Sequence, residues 1–86
     1  MTTAVKFYSS AWCPFCIQAK RLLDSKQAAY DEIIVDGQPH IRKQMISESG
    51  RHTVPQIWVG QTHVGGCDEL FSLERAGKLD SLLAQP

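Results

Sequence analysis

Residues 5–16 have the sequence VKFYSSAWCPFC, and this stretch decides the fold. Val5–Ser9 partly alternates apolar and polar side chains, a pattern typical of a short strand. Pro14 favours the start of a helix, because the N–H group that proline lacks would be unpaired at the first helical position in any case. The stretch therefore predicts a strand, a loop and the first turn of a helix, with Cys13 and Cys16 at the junction.

Helices and strands continue to alternate along the rest of the chain. The predicted elements are a strand over 5–9, a helix over about 14–27, a strand over 30–35, a helix over about 39–48, strands over 56–59 and 63–64, a helix over 68–76 and a short helical piece over 79–83. The first two strands should be parallel, since a helix connects them, and the last two should form an antiparallel hairpin. This order predicts an α/β fold with a four-stranded mixed sheet and helices on both of its faces.

Length and charge restrict the class of protein. The chain has 86 residues, which suits one small domain over 1–86. Nine Lys and Arg residues balance nine Asp and Glu residues, and this balance argues against nucleic acid as a partner, since that needs a basic face. No apolar run approaches the roughly 20 residues that cross a bilayer, and residues 1–6 have no signal-peptide pattern. We therefore expect a cytoplasmic monomer that binds neither nucleic acid nor membranes.

The three cysteines indicate chemistry rather than a disulfide scaffold. An odd number is unlike a disulfide-stapled extracellular domain, and a Cys-x-x-Cys pair that follows a strand and opens a helix is typical of a redox-active dithiol. Cys13 would lie at the helix N-terminus, facing free N–H groups and the positive end of the dipole. The spacing from Cys16 to Ala19 and Leu23 places Cys16 on the buried face. We expect Cys13 to be the exposed nucleophile and Cys16 the sheltered resolving thiol.

The nucleophile needs help to ionise. A free thiol is only about 3% thiolate at pH 7, and shifting its ionisation about a thousandfold, so that it is almost wholly thiolate there, requires roughly 4 kcal/mol. The helix dipole contributes at most about 2 kcal/mol. Hydrogen bonds to the Cys13 sulfur must therefore supply the rest, from the amides of Phe15 and Cys16 or from the Cys16 thiol.

A zinc site is the main alternative for the cysteine pair. Zinc takes four ligands, and the chain has no second Cys-x-x-Cys. The remaining candidate ligands are Cys67, His40, His52 and His63. A structural disulfide is less favoured, because closing so short a loop removes little entropy from the unfolded chain. The sequence thus favours a metal-free redox pair.

Three motifs together make the chain resemble the glutaredoxin family, in its bacterial dithiol type. They are Cys13-Pro14-Phe15-Cys16, Thr53-Val54-Pro55 and Gly65-Gly66-Cys67-Asp68, and the resemblance spans about 5–83. It implies a thioredoxin-like fold and an enzyme that reduces protein disulfides and glutathione mixed disulfides. Glutathione would be a cosubstrate, with no bound cofactor. The implied partners are disulfide-containing or glutathionylated proteins, such as ribonucleotide reductase, and glutathione reductase acting through glutathione.

The resemblance also assigns roles to the first two motifs. It makes Cys13 the thiol that takes up glutathione and Cys16 the thiol that resolves mixed disulfides. Thr53-Val54-Pro55 resembles the loop whose proline is cis and whose Val54 backbone pairs with the tripeptide. From the residues alone, Pro55 is equally well an ordinary residue at the start of a strand.

The third motif resembles the segment that binds the γ-glutamyl end of glutathione. Gly66, Cys67 and Asp68 would lie at a helix N-terminus, where free N–H groups suit a carboxylate and Asp68 suits an ammonium group. Two alternatives stay open. Asp68 could be a plain N-cap residue, and Cys67 could be either a regulatory oxidation site or simply a small residue beside the pocket.

Two positions depart from the family pattern. Phe15 stands where most dithiol relatives have tyrosine, so its ring can pack beside glutathione but donates no hydrogen bond. Ser10 stands where the family usually has a lysine that holds the glycine carboxylate of glutathione. Arg42, Lys43 or Arg51 could substitute for that lysine in part. The departures predict weaker glutathione binding than in lysine-bearing relatives.

Other functions and contacts are compatible with the same motifs. Some glutaredoxins carry a [2Fe–2S] cluster between two subunits, although Pro14 stiffens the motif and, by family analogy, works against this. A donor dedicated to one protein, such as a ribonucleotide reductase, is a further alternative. Trp12, next to the nucleophile, could shield the site, contact partner proteins or be a partly buried aromatic residue.

Overall fold

The structure, a computed structural model, describes residues 3–84 and contains every predicted element. In chain order these are β1 Val5–Ser9, α1 Pro14–Ser25, β2 Tyr30–Ile34, α2 Pro39–Ser49, β3 Gln56–Val59, β4 Thr62–Gly65, α3 Cys67–Arg75 and α4 Leu79–Leu83. The largest difference in bounds is at the end of α1, predicted near Gln27 and found at Ser25. Residues 1, 2, 85 and 86 of the predicted domain lie outside the described residues.

The four strands form one mixed sheet in the order β2-β1-β3-β4. β1 pairs with β2 in parallel, from Val5 opposite Tyr30 to Ser9 opposite Ile34. β1 pairs with β3 antiparallel, and β3 pairs with β4 as an antiparallel hairpin. The predicted parallel first pair and the predicted hairpin are both confirmed, and β1 and β3 occupy the centre of the sheet.

Side chains alternate between the two faces of the central strands and give each face its own core. The larger core lies under α1, α3 and α4 and contains Val5, Phe7, Cys13, Cys16, Ala19, Leu23, Ala28, Ile57, Val59, Cys67, Leu70, Leu79 and Leu83. The smaller core lies under α2 and contains Tyr8, Val35, Met45 and Trp58. The prediction of helices on both faces is therefore confirmed.

The topology brings three chain segments to one end of the sheet. β1 ends there at Ser9, and the loop that follows leads to Cys13 and α1. Because β3 is antiparallel to β1, it begins at the same end, with Gln56 opposite Tyr8. β4 returns to that end at Gly65, directly before α3. The three motifs at 13–16, 53–55 and 65–68 are distant in sequence, and the topology brings them together at this end of the sheet.

We expect Leu23→Ala to lower the free energy of unfolding by about 2–5 kcal/mol, because it leaves a cavity in the larger core. Leu23 has no exposed surface in the structure. Urea denaturation measures the change. Ile17→Ala, on the same helix but 44% exposed, is the matched control and should change the stability by only about 0.5 kcal/mol. Equal losses in both variants would show that the larger core does not hold α1.

Candidate active site

Cys13 is the N-cap residue of α1, with extended backbone angles of φ −112° and ψ 106°. Its sulfur accepts a hydrogen bond from the Cys16 N–H, with 3.1 Å between Sγ and N. Pro14 occupies the first turn of the helix, as predicted. The local sequence therefore creates a helix N-terminus at which the free N–H group of Cys16 points at a sulfur atom, which stabilises negative charge on that sulfur.

The expectation that Cys13 is exposed is wrong, since only 9% of its surface is accessible. The position at the helix N-terminus that suggested exposure takes account of α1 alone. In the folded chain Val54 packs against the larger core beside Cys13, and the Cys13 thiol donates to the Val54 carbonyl oxygen at 3.7 Å. Cys67 at the start of α3 belongs to the same core. Cys13 therefore lies at the margin of the larger core, mostly covered, rather than on an open surface.

Cys16 is completely buried, as predicted for the resolving thiol. Burial raises the pKa of Cys16 to about 11, and its hydrogen bond with Cys13 adds to the shift. Cys16 is therefore a neutral thiol at physiological pH. The two cysteines of the motif are therefore chemically distinct. The Cys13 sulfur accepts a hydrogen bond from a backbone N–H at a helix N-terminus, whereas Cys16 is kept protonated by its burial in the core.

An open cleft of about 270 Å³ lies beside the cysteine pair. Its lining residues are Phe15, Arg51, Thr53, Val54, Pro55, Gly66, Cys67, Asp68 and Glu69. Every residue that the family resemblance assigned to the glutathione-binding pocket is in this set, and the nucleophile Cys13 is not. Of the three cations considered in place of the missing lysine, Arg51 lines the cleft, whereas Arg42 and Lys43 line a separate depression along α2.

The wall of the cleft from Thr53 to Pro55 is anchored by a buried glutamine. The Val54–Pro55 peptide bond is cis, as the resemblance implied. The fully buried Gln56 donates from Nε2 to the Thr53 carbonyl at 3.0 Å and accepts at Oε1 from Nε2 of His63 at 2.9 Å. The sequence identified Gln56 only as a strand residue, because nothing local indicates this bridge from β4 to the loop.

The opposite wall is the N-terminus of α3. Gly66 is the N-cap and the helix begins at Cys67, so the alternative of Asp68 as the N-cap residue is wrong. The Glu69 carboxylate folds back to accept the Gly66 N–H at 2.9 Å and also accepts from the Arg51 guanidinium. Gly65 has a φ of +116°, and a Cβ there would lie 2.5 Å from Glu69 Oε1. Glycine at that position therefore leaves room for the folded-back carboxylate.

Sequence reasoning missed Glu69 as a member of the site. A helix N-terminus followed three residues later by glutamate is the signal of a capping box, and it was available in the sequence. Only one of the two hydrogen bonds of a capping box exists here. The Glu69 carboxylate accepts from the Gly66 N–H, but Gly66 has no side chain that could accept from the Glu69 N–H. The Gly66 N–H and Arg51 together hold the pKa of Glu69 below its usual value, so its carboxylate is ionised at neutral pH.

Cys67 lies in the cleft wall but is 94% covered, with a relative exposure of 6%. Burial raises the pKa of the Cys67 thiol, and the neighbouring charge of Asp68 adds to the shift. Because oxidation and exchange proceed through the thiolate, Cys67 is poorly reactive at neutral pH in this state.

The loop before Cys13 is fixed by Asp36. Its carboxylate accepts from the Ser10 hydroxyl at 2.6 Å and from the Ala11 N–H at 2.8 Å. Ser10 therefore contributes a hydrogen bond where a lysine would contribute charge. Trp12 is 92% exposed, so its interpretation as a partly buried residue is wrong.

Two structural absences apply to residues 3–84. Within that range, no three residues among His, Cys, Asp and Glu lie close enough together to hold a metal ion. Likewise, none of the helices in the described part of the chain has the length and apolar character needed to cross a membrane.

Comparison with known proteins identifies the family. The fold and the dithiol site define a thioredoxin-like protein. The glutaredoxin family model matches residues 5–64, and the chain belongs to the glutaredoxin family, whose members are thiol–disulfide oxidoreductases. The chain is 56% identical over 80 residues to glutaredoxin of Pseudomonas aeruginosa, covering 93% of this chain and 95% of that one. It is 47% identical over 79 residues to glutaredoxin 3 of Escherichia coli K12, covering 92% and 95%.

Solved structures give the same result for the fold. The solution structure of glutaredoxin from Brucella melitensis has a TM-score of 0.86 and 48% identity, covering 96% of this chain and 90% of that one. The crystal structure of a buckwheat glutaredoxin–glutathione complex has a TM-score of 0.86 and 32% identity, covering 92% and 74%. The fold therefore agrees with that of glutaredoxins whose sequences differ widely.

The pKa of His63 is expected to lie below 6.5, because partial burial and the Arg51 charge both disfavour the imidazolium. The folded protein then binds fewer protons than the unfolded chain near that pH, so the free energy of unfolding should fall as the pH drops from about 7 through about 6.5. NMR titration of the imidazole measures the midpoint, and Arg51→Gln should raise it. A His63 midpoint at or above 6.5 in the native protein would contradict this electrostatic environment.

Proposed function

We propose that this protein is a glutathione-dependent oxidoreductase that reduces glutathione mixed disulfides and protein disulfides. Cys13 is the nucleophile, Cys16 is the resolving thiol and glutathione is a cosubstrate rather than a bound cofactor. The observation that carries this proposal is the hydrogen bond from the Cys16 N–H to the Cys13 sulfur, next to a cleft that Phe15 and Val54 line. The proposal treats 1–86 as a single catalytic domain working in the cytosol, where the glutathione pool is reducing.

Reduction of a glutathione mixed disulfide needs only one cysteine. The Cys13 thiolate attacks the glutathione sulfur of a mixed disulfide, a new S–S bond forms, and the target protein leaves as a thiolate that takes up a proton. The thiolate of a second glutathione then attacks the glutathione sulfur now bonded to Cys13. Glutathione disulfide is released, the Cys13 thiolate is regenerated, and two electrons have passed from two glutathiones to the target.

The cleft suits a short peptide that carries charge at both ends. The Val54 backbone can pair with an extended tripeptide, and Phe15, 58% exposed, offers a ring to pack beside it. The start of α3 offers amides to a carboxylate, and Asp68 offers a counter-charge to an ammonium group. Arg51 is the cation in the lining that suits the second carboxylate. Among solved relatives, a buckwheat glutaredoxin has been crystallised as its glutathione complex, which supports this assignment.

Reduction of a protein disulfide also uses Cys16. Cys13 first forms a mixed disulfide with the target, and Cys16 then attacks the Cys13 sulfur, which forms a Cys13–Cys16 disulfide and releases the second target thiolate. Two glutathiones then reduce the Cys13–Cys16 disulfide and leave as glutathione disulfide. Burial, the Cys13 hydrogen bond and the Cys13 charge all raise the pKa of Cys16. The last two contributions disappear once the Cys13 sulfur is in a disulfide. Cys16 therefore becomes easier to ionise only after the mixed disulfide has formed, which orders the two steps.

The proposed protein partners dock around the nucleophile. Trp12 is 92% exposed and adjoins Cys13 in the sequence, and Phe15 and Ile17 are also exposed beside it. A disulfide-containing target such as a ribonucleotide reductase would contact these side chains. Glutathione reductase would act indirectly, by reducing the glutathione disulfide that this protein releases.

Cys13→Ser should abolish turnover of a mixed disulfide of glutathione and a small thiol. Cys13 is the cysteine whose sulfur accepts a hydrogen bond from a backbone N–H at a helix N-terminus. NADPH oxidation coupled through glutathione reductase measures the rate. Cys16→Ser should retain this deglutathionylation but lose the dithiol reduction of protein disulfides. The division of roles would be wrong if Cys16→Ser were inactive on both substrates.

A further inference from the structure

We propose that Glu69 sets the affinity of the cleft for anionic peptide ligands by neutralising Arg51, the cation that faces the ligand. This inference rests on the proposed function and adds to it a residue that controls how strongly the carboxylates of glutathione are attracted. Glu69 is an affinity-determining residue in this scheme and takes no part in sulfur exchange.

The contacts of Glu69 lock its carboxylate in the cleft wall. Its Oε1 atom accepts from the Arg51 guanidinium and, at 2.9 Å, from the Gly66 N–H. The glycine at position 65 leaves room for this arrangement, because a Cβ there would lie 2.5 Å from Oε1 and 3.0 Å from Arg51 Nη1. Three segments, namely the loop directly after α2, the end of β4 and the start of α3, thus converge on one ion pair.

The charges of the residues that line the cleft explain why the Arg51–Glu69 ion pair affects the binding of carboxylates. Among the lining residues in the described part of the chain, Arg51 is the one cation, and Asp68 and Glu69 are two carboxylates. The lining therefore has a net negative charge, and an incoming carboxylate meets an arginine that is already paired. Both partners are accessible to solvent, with side-chain exposures of 46% for Arg51 and 40% for Glu69, so a ligand can reach the guanidinium. Ser10 adds no positive charge.

Glu69→Gln separates charge from geometry. The glutamine carbonyl oxygen can accept the same two hydrogen bonds from Gly66 and Arg51, so the wall keeps its shape while one negative charge is removed. Coulomb attraction across a few ångströms at a solvent-exposed site corresponds to about threefold to tenfold in affinity. Salt screens such an effect, because the Debye length falls to about 6 Å at 0.3 M.

The test is an amide NMR titration of the full chain with S-methylglutathione, a thioether that cannot exchange disulfides. Dissociation constants are measured at about 20 mM and about 300 mM ionic strength. The variants are Glu69→Gln, Arg51→Gln and the double variant. Glu74→Gln is the matched control, since Glu74 lies on the same helix, forms an ion pair with Lys26 at 2.7 Å and is not part of the lining.

Glu69→Gln should bind S-methylglutathione about threefold to tenfold more tightly at low salt, and high salt should shrink the gain. The gain should disappear in the Arg51→Gln background and should be absent in Glu74→Gln. Unchanged or weaker binding by Glu69→Gln, or a gain that survives without Arg51, would overturn the inference while leaving the proposed function intact. Failure of the wild-type protein to bind the analogue would instead refute the glutathione site and, with it, the role of Glu69.

Discussion

The proposed chemistry depends on one contact, the hydrogen bond from the Cys16 N–H to the Cys13 sulfur at 3.1 Å. A helix must begin immediately after Cys13 for this amide to be free, and Pro14 fixes that beginning. The helix must also be held against the sheet, which the buried face containing Ala19 and Leu23 achieves. The burial that holds the helix also keeps Cys16 protonated, so packing and chemical asymmetry have the same origin.

The cleft is a consequence of topology rather than of any one segment. An antiparallel partner on one side of β1 and a hairpin beyond it return the chain twice to the edge where Cys13 lies. Gln56 then fixes the wall formed by the cis-proline loop, and Glu69 fixes the wall formed by α3. The affinity of the cleft for a charged peptide is determined separately. It depends on how much of the positive charge of Arg51 is neutralised by the Glu69 carboxylate.

Local patterns were sufficient to predict the elements, their order and the position of the Cys-x-x-Cys pair at the start of α1. Pro14 and the helical spacing of Cys16 and Leu23 are local signals, and the family motifs contain all of the cleft residues except Arg51 and Glu69. The burial of Cys13 could not be predicted, because Val54 covers it from 41 positions away in the sequence. For the same physical reason, the Gln56–His63 hydrogen bond and the Arg51–Glu69 ion pair could not be predicted. Each joins two segments that only the folded sheet brings together.

The central claim is tested most directly by the rate of iodoacetamide alkylation at each cysteine of the reduced protein, followed by mass spectrometry between about pH 5 and 9. A free thiol is only about 0.3% thiolate at pH 6. Cys13 should react at least about tenfold faster there than the same cysteine in an unfolded peptide of residues 5–16, while Cys16 and Cys67 stay unmodified. A Cys13 rate equal to that of the peptide, with the same pH dependence, would contradict the account.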